Sequence, residues 1–216
     1  MDDIVKLTEG VSRFRTQIFP NSRDLFQRLA SGQAPLALFL TCADSRIVPS
    51  LMTNTGPGEL FIERNPGNLV PVYEESSVGV SASIEYAIAA LGVRHVIICG
   101  HSDCGAVHGI MDPAKLNAMP AVTRWLRHGQ EARRRLECDG GPGDGPARMH
   151  RLTRLNVVVQ MENLLTHPSV QAALARDALQ IHGCVFDIAT GAVELYDAAA
   201  ASFSELPLVV EARPGF

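Results

Sequence analysis

The sequence lacks an apolar run long enough to span a membrane, although 46% of its 216 residues are hydrophobic. It also lacks a basic excess, because its formal net charge is -4, which gives no electrostatic attraction for nucleic acid. We therefore expect a protein that binds neither a membrane nor nucleic acid. The only basic cluster, at residues 133–135, is interpreted as the solvated face of a helix.

The amino terminus lacks the basic region and unbroken apolar core of a signal peptide, since MDDIVKLTEG carries early acidic residues. A cytoplasmic location is expected. Cysteines are few and odd in number, which favours metal-binding, catalytic or core roles over a disulfide framework. They are Cys42, Cys99, Cys104, Cys138 and Cys184.

The apolar pattern predicts one α/β domain over residues 1–216, with a central, mostly parallel β-sheet flanked by helices. Residues 1–32 are expected to form a helical arm, 33–112 the core that holds the site, and 113–216 the C-terminal helices and edge strands. The arm has an apolar face broken near Phe19-Pro20. Its own domain and a partner subunit both remain open as surfaces on which the arm could pack.

Three short apolar runs bounded by Gly, Pro or Asn predict central parallel strands. They are LALFLTC (36–42), ELFIER (59–64) and HVIICG (95–100). A crossover helix is predicted between the second and third runs, with Ser76 or Ser77 as its N-cap and Gly92 as its stop. Beyond them the pattern predicts a helix over 120–137, a surface loop over 139–146, a long helix through 152–164 and a hairpin at the sheet edge over 183–197.

Reactive side chains follow two of the three predicted strands. The first strand ends in Cys42, and the third leads into His101 and Cys104. Because ligands of open parallel sheets gather beyond the carboxyl ends of the strands, we expect these groups to converge. Two cysteines and a histidine are typical of a catalytic zinc site that keeps its fourth position open. Cys99, the nearest candidate for a fourth ligand, lies within an apolar run and is interpreted as core, as is Cys184, whereas Cys138 is a peripheral thiol.

Two motifs in these segments resemble the signatures of the β-class carbonic anhydrases. They are Cys-x-Asp-x-Arg, here CADSR at 42–46, and His-x-x-Cys-Gly, here HSDCG at 101–105. The resemblance continues through PGELFIERNPGNLVP (57–71) and SIEYAIAALGV (83–93) and covers most of residues 30–110. It implies an enzyme that interconverts carbon dioxide and bicarbonate with one Zn²⁺ per chain, as a homodimer or a dimer-based higher oligomer.

In such a site the nucleophile is zinc-bound hydroxide, which must aim a lone pair at the carbon of CO₂. Asp44 is expected to accept the hydroxide's hydrogen bond and so orient it. A carboxylate is also a good zinc ligand, so Asp44 could instead close the site. We expect Arg46 to decide between these states by pairing with Asp44 and holding it off the metal.

The resemblance assigns further residues to the substrate site. Gln33 matches a glutamine that donates to the substrate oxygen, typically from the neighbouring subunit, and the Gly105 N–H matches a donor to bound bicarbonate. Phe61 and Tyr86 match wall positions, although ordinary core packing accounts for them equally well. The candidates for a proton shuttle are His108, His95 and Tyr86.

Three positions depart from family patterns. A subgroup has tryptophan at the position of Phe39 and glycine at that of Thr41, forming a bicarbonate pocket that favours zinc ligated by Asp44. This chain lacks both, so the open (type I) form is expected near neutral pH. Pro66 replaces a residue that is often small or branched and apolar.

Two alternative functions share the zinc site. Relatives with the same ligands hydrolyse carbon disulfide or carbonyl sulfide, chiefly by restricting access to the pocket. The chain could also be a non-catalytic zinc-binding scaffold. The presence of both Asp44 and Arg46 argues against the scaffold, because a structural zinc needs neither.

Overall fold

The computed structural model describes residues 3–73, 78–140 and 145–208, and its contacts divide the chain into two compact units, Met1–Ala34 and Pro35–Phe216. The first unit contains helix α1 (Asp3–Arg13), a π-helical turn (Phe14–Ile18), a 3₁₀ turn (Phe19–Ser22) and helix α2 (Arg23–Leu29). None of the described residues in these helices is buried. The predicted break near Phe19-Pro20 is therefore a change of helix type within a helical arm.

A six-stranded sheet forms the centre of the second unit. Its strands are β1 (Ala37–Cys42), β2 (Leu60–Asn65), β3 (His95–His101), β4 (Gln180–Phe186), β5 (Val193–Asp197) and β6 (Ser202–Glu205). The spatial order is β2-β1-β3-β4-β5-β6, in which the first four strands are parallel and the last two pair antiparallel. The predicted mostly parallel sheet is confirmed.

The position of β2 differs from the prediction. Every residue of β1 is buried, as expected of a central parallel strand. In contrast, β2 forms an edge of the sheet and carries exposed side chains, among them Ile62 and Arg64. The prediction of a central strand for ELFIER was wrong because the apolar run is half polar and pairs on one side only, with β1.

The C-terminal hairpin is formed by β4 and β5, as predicted, but β6 and not this hairpin forms the edge of the sheet. β4 also pairs in parallel with β3, which makes it the fourth strand of the parallel part. The short, mostly exposed strand β6 lies outside β5 and forms the second edge of the sheet. Its sequence, SFSE, carries little hydrophobic signal.

Helices cover the sheet. They are α3 (Pro49–Met52), α4 (Val78–Glu85) with a π-helical turn (Tyr86–Ala90), α5 (Gly105–Met111), a 3₁₀ turn (Pro113–Leu116), α6 (Pro120–Trp125), a second 3₁₀ turn (Leu126–Gly129), α7 (Gln130–Cys138), α8 (Gly145–Leu164) and α9 (Pro168–Leu174). In the described part of the chain, no helix has the length and apolar character needed to cross a bilayer.

The predicted helix boundaries agree in part with the structure. Gly92, with φ +66°, follows the crossover helix as expected, whereas the N-caps proposed for that helix, Ser76 and Ser77, lie outside the described residues. The predicted helix over 120–137 is interrupted by a 3₁₀ turn. Of the predicted loop over 139–146, residues 141–144 lie outside the described ranges and the last two already belong to α8.

Helix α8 packs directly beneath β3 and fixes the loop at residues 66–70. A Cβ at Gly100 would lie 2.9 Å from Val157 Cγ2, so glycine allows this close approach just before His101. On the same helix, Asn156 donates to the Gly67 carbonyl at 3.0 Å, and Gln160 Oε1 accepts from the Val70 N–H at 2.8 Å. These fully buried amides hold the loop against the helix.

Candidate metal centre

Three side chains with metal-binding donors meet at the carboxyl edge of the sheet. Cys42 ends β1, His101 ends β3, and Cys104 precedes α5. Their donor atoms all lie within 4.8 Å of one another, and all three residues are buried. The structure thus brings together the three residues that the sequence assigned to one metal.

A tight turn after β3 makes this meeting possible. Asp103 has φ +53°, a left-handed conformation that aspartate tolerates better than most residues. The turn reverses the chain so that the Sγ atoms of Cys104 and Cys42 lie 3.8 Å apart. The next residue, Gly105, is the first of α5, and a Cβ there would have no atom within 4 Å.

The donor set fits zinc. Two thiolates about 2.3 Å from one tetrahedral Zn²⁺ are separated by about 3.8 Å, which is the observed distance between the sulfurs. His101 Nδ1 donates to the Ser102 carbonyl at 2.8 Å, which leaves a lone pair on Nε2. Among the described residues, this buried Nε2 has no hydrogen-bond partner. An unpartnered buried nitrogen facing two sulfurs is the arrangement that a bound cation would satisfy.

The contact between the two sulfurs shifts their pKa values in opposite directions. The hydrogen bond from Cys104 lowers the pKa of Cys42 to about 4, although burial opposes this shift. The same interaction, together with burial, raises the pKa of Cys104. Burial acts to lower the pKa of His101, but its interactions with Cys42 and the Ser102 carbonyl outweigh burial and raise it. The Cys42 thiolate also accepts the Gly67 N–H at 3.3 Å.

Asp44 lies beside this cluster and is held by Arg46. Asp44 Oδ2 is 3.9 Å from His101 Nε2. Arg46 donates from Nη2 to Oδ2 at 2.8 Å and from both Nε and its backbone N–H to Oδ1 at 2.9 Å. These hydrogen bonds from Arg46 hold the pKa of Asp44 well below its usual range. Asp44 is therefore an ionised acceptor near the centre.

Two arginines fix this arrangement through hydrogen bonds that the sequence did not reveal. Arg46 also donates to Asp103, from Nη1 to Oδ2 at 3.2 Å and from Nη2 to the carbonyl at 3.0 Å. Arg64, on β2, donates to the carbonyls of Cys42 at 3.1 Å and Asp44 at 2.6 Å. Both arginines thus tie the strand ends together. The only sequence signal for Arg64 was its place in the RNPGN stretch of the family resemblance.

A cavity of about 870 Å³ borders the centre on the side of Cys104. Its lining includes the exposed side chain of His108, whose Nε2 lies 3.1 Å from Asp103 Oδ1. His108 therefore contacts Asp103, the residue that also accepts from Arg46, and its ring is open to solvent. His95, another candidate for a proton shuttle, starts β3 and lies about 20 Å from His101 along the strand.

Phe61 lies at some distance from the metal-binding donors of its own chain, and its ring contacts that of Tyr86. Their rings are 5.9 Å apart, and Phe61 pairs in register with Leu38. That position is four residues, or about 13 Å, before the end of β2 beside Cys42. Gln33, exposed, lies in the first unit, Met1–Ala34.

The positions that depart from the family pattern also have defined surroundings. Phe39 is buried against Cys99 and Cys184, which confirms the core interpretation of these two cysteines. The buried Thr41 donates to the Cys99 carbonyl at 2.9 Å. The carbonyl of Pro66 accepts the Trp125 Nε1–H at 2.8 Å, so the loop that precedes Gly67 is anchored to α6.

Comparisons with known proteins agree on one family. A family model described as carbonic anhydrase matches residues 37–193. The carbonic anhydrase of Pseudomonas aeruginosa is 46% identical over 213 residues, which cover 99% of this chain and 95% of that protein.

Solved structures give the same result. The β-carbonic anhydrase CcaA is 35% identical, with a TM-score of 0.92, and the match covers 96% of this chain and 94% of that one. A chain from the crystal structures of two tetrameric β-carbonic anhydrases of Sordaria macrospora is 28% identical, with a TM-score of 0.80. That match covers 90% of this chain and 97% of the Sordaria chain.

Proposed function

The chain belongs to the β-carbonic anhydrase family, and from this premise we propose that it hydrates CO₂ reversibly to bicarbonate and a proton at one Zn²⁺ per chain. One observation carries the proposal. Two buried sulfurs 3.8 Å apart and the unpartnered Nε2 of His101 lie beside an aspartate that an arginine holds in place. A structural metal site would need the donors but neither Asp44 nor Arg46.

Cys42, His101 and Cys104 would hold the metal and leave one tetrahedral position open. Bound there, Zn²⁺ would acidify water and so supply a nucleophile near neutral pH. Two thiolates and a neutral imidazole balance the charge of the cation, and the Gly67 N–H moderates the charge on Cys42.

Asp44 would orient the attacking oxygen. Its Oδ1 already accepts two hydrogen bonds from Arg46, whereas Oδ2 accepts one and lies nearer to His101. Oδ2 therefore keeps accepting capacity on the side of the centre. An acceptor fixed there would accept a hydrogen bond from the nucleophile and so orient a lone pair of its oxygen towards the carbon of CO₂.

The open form is the state that these contacts favour. For Asp44 to bind the metal, it would have to give up a bidentate pair with Arg46, which Asp103 in turn braces. The tryptophan and glycine that form the bicarbonate pocket in the family's subgroup are replaced here by Phe39 and Thr41. Phe39 is buried, and the Thr41 hydroxyl is bonded to the Cys99 carbonyl.

We further propose that Gln33, Phe61 and Tyr86 serve the site of a neighbouring chain in a dimer, and that the Gly105 N–H donates to bound bicarbonate in its own chain. The distance of about 13 Å along β2 supports the first part, because Phe61 cannot reach the centre of its own subunit. The tetrameric state of the Sordaria macrospora relatives supports assembly of the same kind.

A stopped-flow assay of CO₂ hydration on zinc-loaded protein tests the proposed function. We expect hydration well above the buffer rate, with no sulfide released when carbon disulfide or carbonyl sulfide replaces CO₂. Sulfide release without CO₂ hydration would assign the site to the hydrolases. Zinc binding without either activity would identify a scaffold.

A further inference from the structure

A second cluster of metal-binding donors lies at the opposite end of the sheet from the catalytic centre. His95 Nδ1 and His182 Nε2 are 3.2 Å apart, and the rings have centroids 5.4 Å apart. His95 is the first residue of β3, so about 20 Å of strand separates it from His101. We propose that this pair binds a second divalent transition-metal ion of the kind that prefers imidazole, such as Ni²⁺, Cu²⁺ or Zn²⁺.

The sheet holds the two rings together. β3 and β4 are parallel neighbours in which His95 pairs with Gln180 and Ile97 pairs with His182. The two histidines therefore occupy diagonal positions on one face of adjacent strands. Because the strands fix both backbones, a metal would meet two ligands that are already positioned and would lose little chain entropy on binding.

The separation of the nitrogens suits a shared ion. With metal–nitrogen bonds of about 2.0–2.1 Å, two ligands are about 3.0 Å apart at a right angle and about 3.3 Å apart at the tetrahedral angle. The observed 3.2 Å lies between these values. The pair now forms an N–H···N contact, and small rotations about χ2, a soft torsion in histidine, would direct both lone pairs at one ion.

The protonation and exposure of the pair favour binding. Although His182 is exposed overall, partial desolvation of its ring and the neighbouring His95 lower its pKa, so the ring is neutral at neutral pH and keeps a lone pair. His182 is exposed and His95 is half-buried, so an ion can reach them from solvent. In the described part of the chain no third Cys, His, Asp or Glu joins the pair, so water would complete the coordination.

Nickel binding to the zinc-loaded protein tests the inference. We expect calorimetry to show about one Ni²⁺ bound per chain, with elemental analysis showing that the zinc is retained. Either His95→Gln or His182→Gln should weaken nickel binding at least about tenfold. The matched control is His150→Gln, because His150 Nε2 lies 3.0 Å from Glu194 and this pair could itself bind nickel. We expect this control to bind nickel as the wild type does.

Crystals of the unaltered protein soaked in NiCl₂ provide a test that does not depend on variants. An anomalous difference peak about 2.1 Å from both His95 Nδ1 and His182 Nε2 is the expected result. Nickel found only at His150, or only in place of zinc, would overturn the inference. Binding that neither His95→Gln nor His182→Gln weakens would also overturn it.

Discussion

Asp44 and Arg46 form a bidentate pair in which both carboxylate oxygens accept from one guanidinium, at 2.8 and 2.9 Å. The pair lies directly beside the three metal-binding donors, and Asp44 Oδ2 is the carboxylate oxygen nearest to His101. The guanidinium is itself braced by Asp103. If the pair keeps Asp44 as an acceptor beside the metal, as proposed above, replacing Asp44 should affect activity and zinc content differently.

Asp44→Ala should retain zinc and lose CO₂ hydration. We expect kcat to fall about 100-fold, because the nucleophile loses the acceptor that orients it. Elemental analysis and stopped-flow kinetics on the same sample measure the two properties. Asp139→Asn is the control, since the Asp139 carboxylate forms an exposed ion pair with Arg151 at 3.6 Å. An Asp44→Ala variant with wild-type kcat would refute the assigned role.

Cys104→Ser should lose the metal. A serine hydroxyl stays protonated near neutral pH and is a poor zinc ligand, so zinc content should fall from about one per chain to near zero. Activity should fall with it. Cys138→Ser changes an exposed thiol at the end of α7 and should leave both properties unchanged. Full zinc occupancy in Cys104→Ser would show that Cys104 is not a ligand.

Gly67→Ala should destabilise the fold and weaken metal retention. Gly67 has φ +84°, and a Cβ there would lie 2.9 Å from Ala106 Cβ. We expect a loss of about 1–3 kcal/mol in the free energy of unfolding. Displacement of the Gly67 N–H would also remove a donor to Cys42, so zinc should dissociate faster into a chelator.

The control for this substitution is Gly79→Ala, in α4. Apart from its chain neighbours and the backbone of its own helix, no described residue has an atom within 4 Å of a Cβ at that position, so the change should be neutral or stabilising by about 0.5–1 kcal/mol. Denaturant unfolding and zinc-release kinetics measure both variants. Equal stabilities and zinc-release rates for the two variants would contradict the packing argument.

His167 should make stability depend on pH. The ring is buried, with Nε2 3.2 Å from Ser81 Oγ, and burial lowers its pKa. Below about pH 6.5 the unfolded chain binds a proton that the folded chain does not. Between the lowered pKa and about pH 6.5, the free energy of unfolding therefore increases with pH.

His167→Gln should reduce this slope by up to about 1.4 kcal/mol per pH unit. Ser81→Ala keeps the buried ring and should keep a slope near that of the wild type. Urea unfolding between about pH 5 and pH 7.5 provides the measurement. Identical slopes in the wild type and His167→Gln would show that the ring does not contribute.

Much of the parallel sheet and the metal donors could be predicted from the sequence. Continuous apolar runs identify buried strands such as β1, and the rule that strand ends meet at one edge brings Cys42 to His101. The polar half of ELFIER was a sign that β2 is not a central strand, but the order of the strands depends on how the crossovers return and could not be predicted from that run.

The supports of the site were harder to predict. Asn156 and Gln160 are polar residues at fully buried positions of α8, which a search for apolar periodicity assigns to the surface. They are buried because a distant loop offers hydrogen-bonding partners. Phe61 was identified through the family resemblance alone, and its distance from its own centre followed only from the strand register.

X-ray absorption at the zinc edge, on protein at neutral pH, tests the central claim most directly. The account predicts two sulfurs at about 2.3 Å, one imidazole nitrogen at about 2.0–2.1 Å and one further light atom from solvent, with the same spectrum for Asp44→Asn apart from small changes. A spectrum without zinc–sulfur bonds would contradict the account. So would a spectrum in which replacing Asp44 changes the fourth ligand, because Asp44 would then bind the zinc itself.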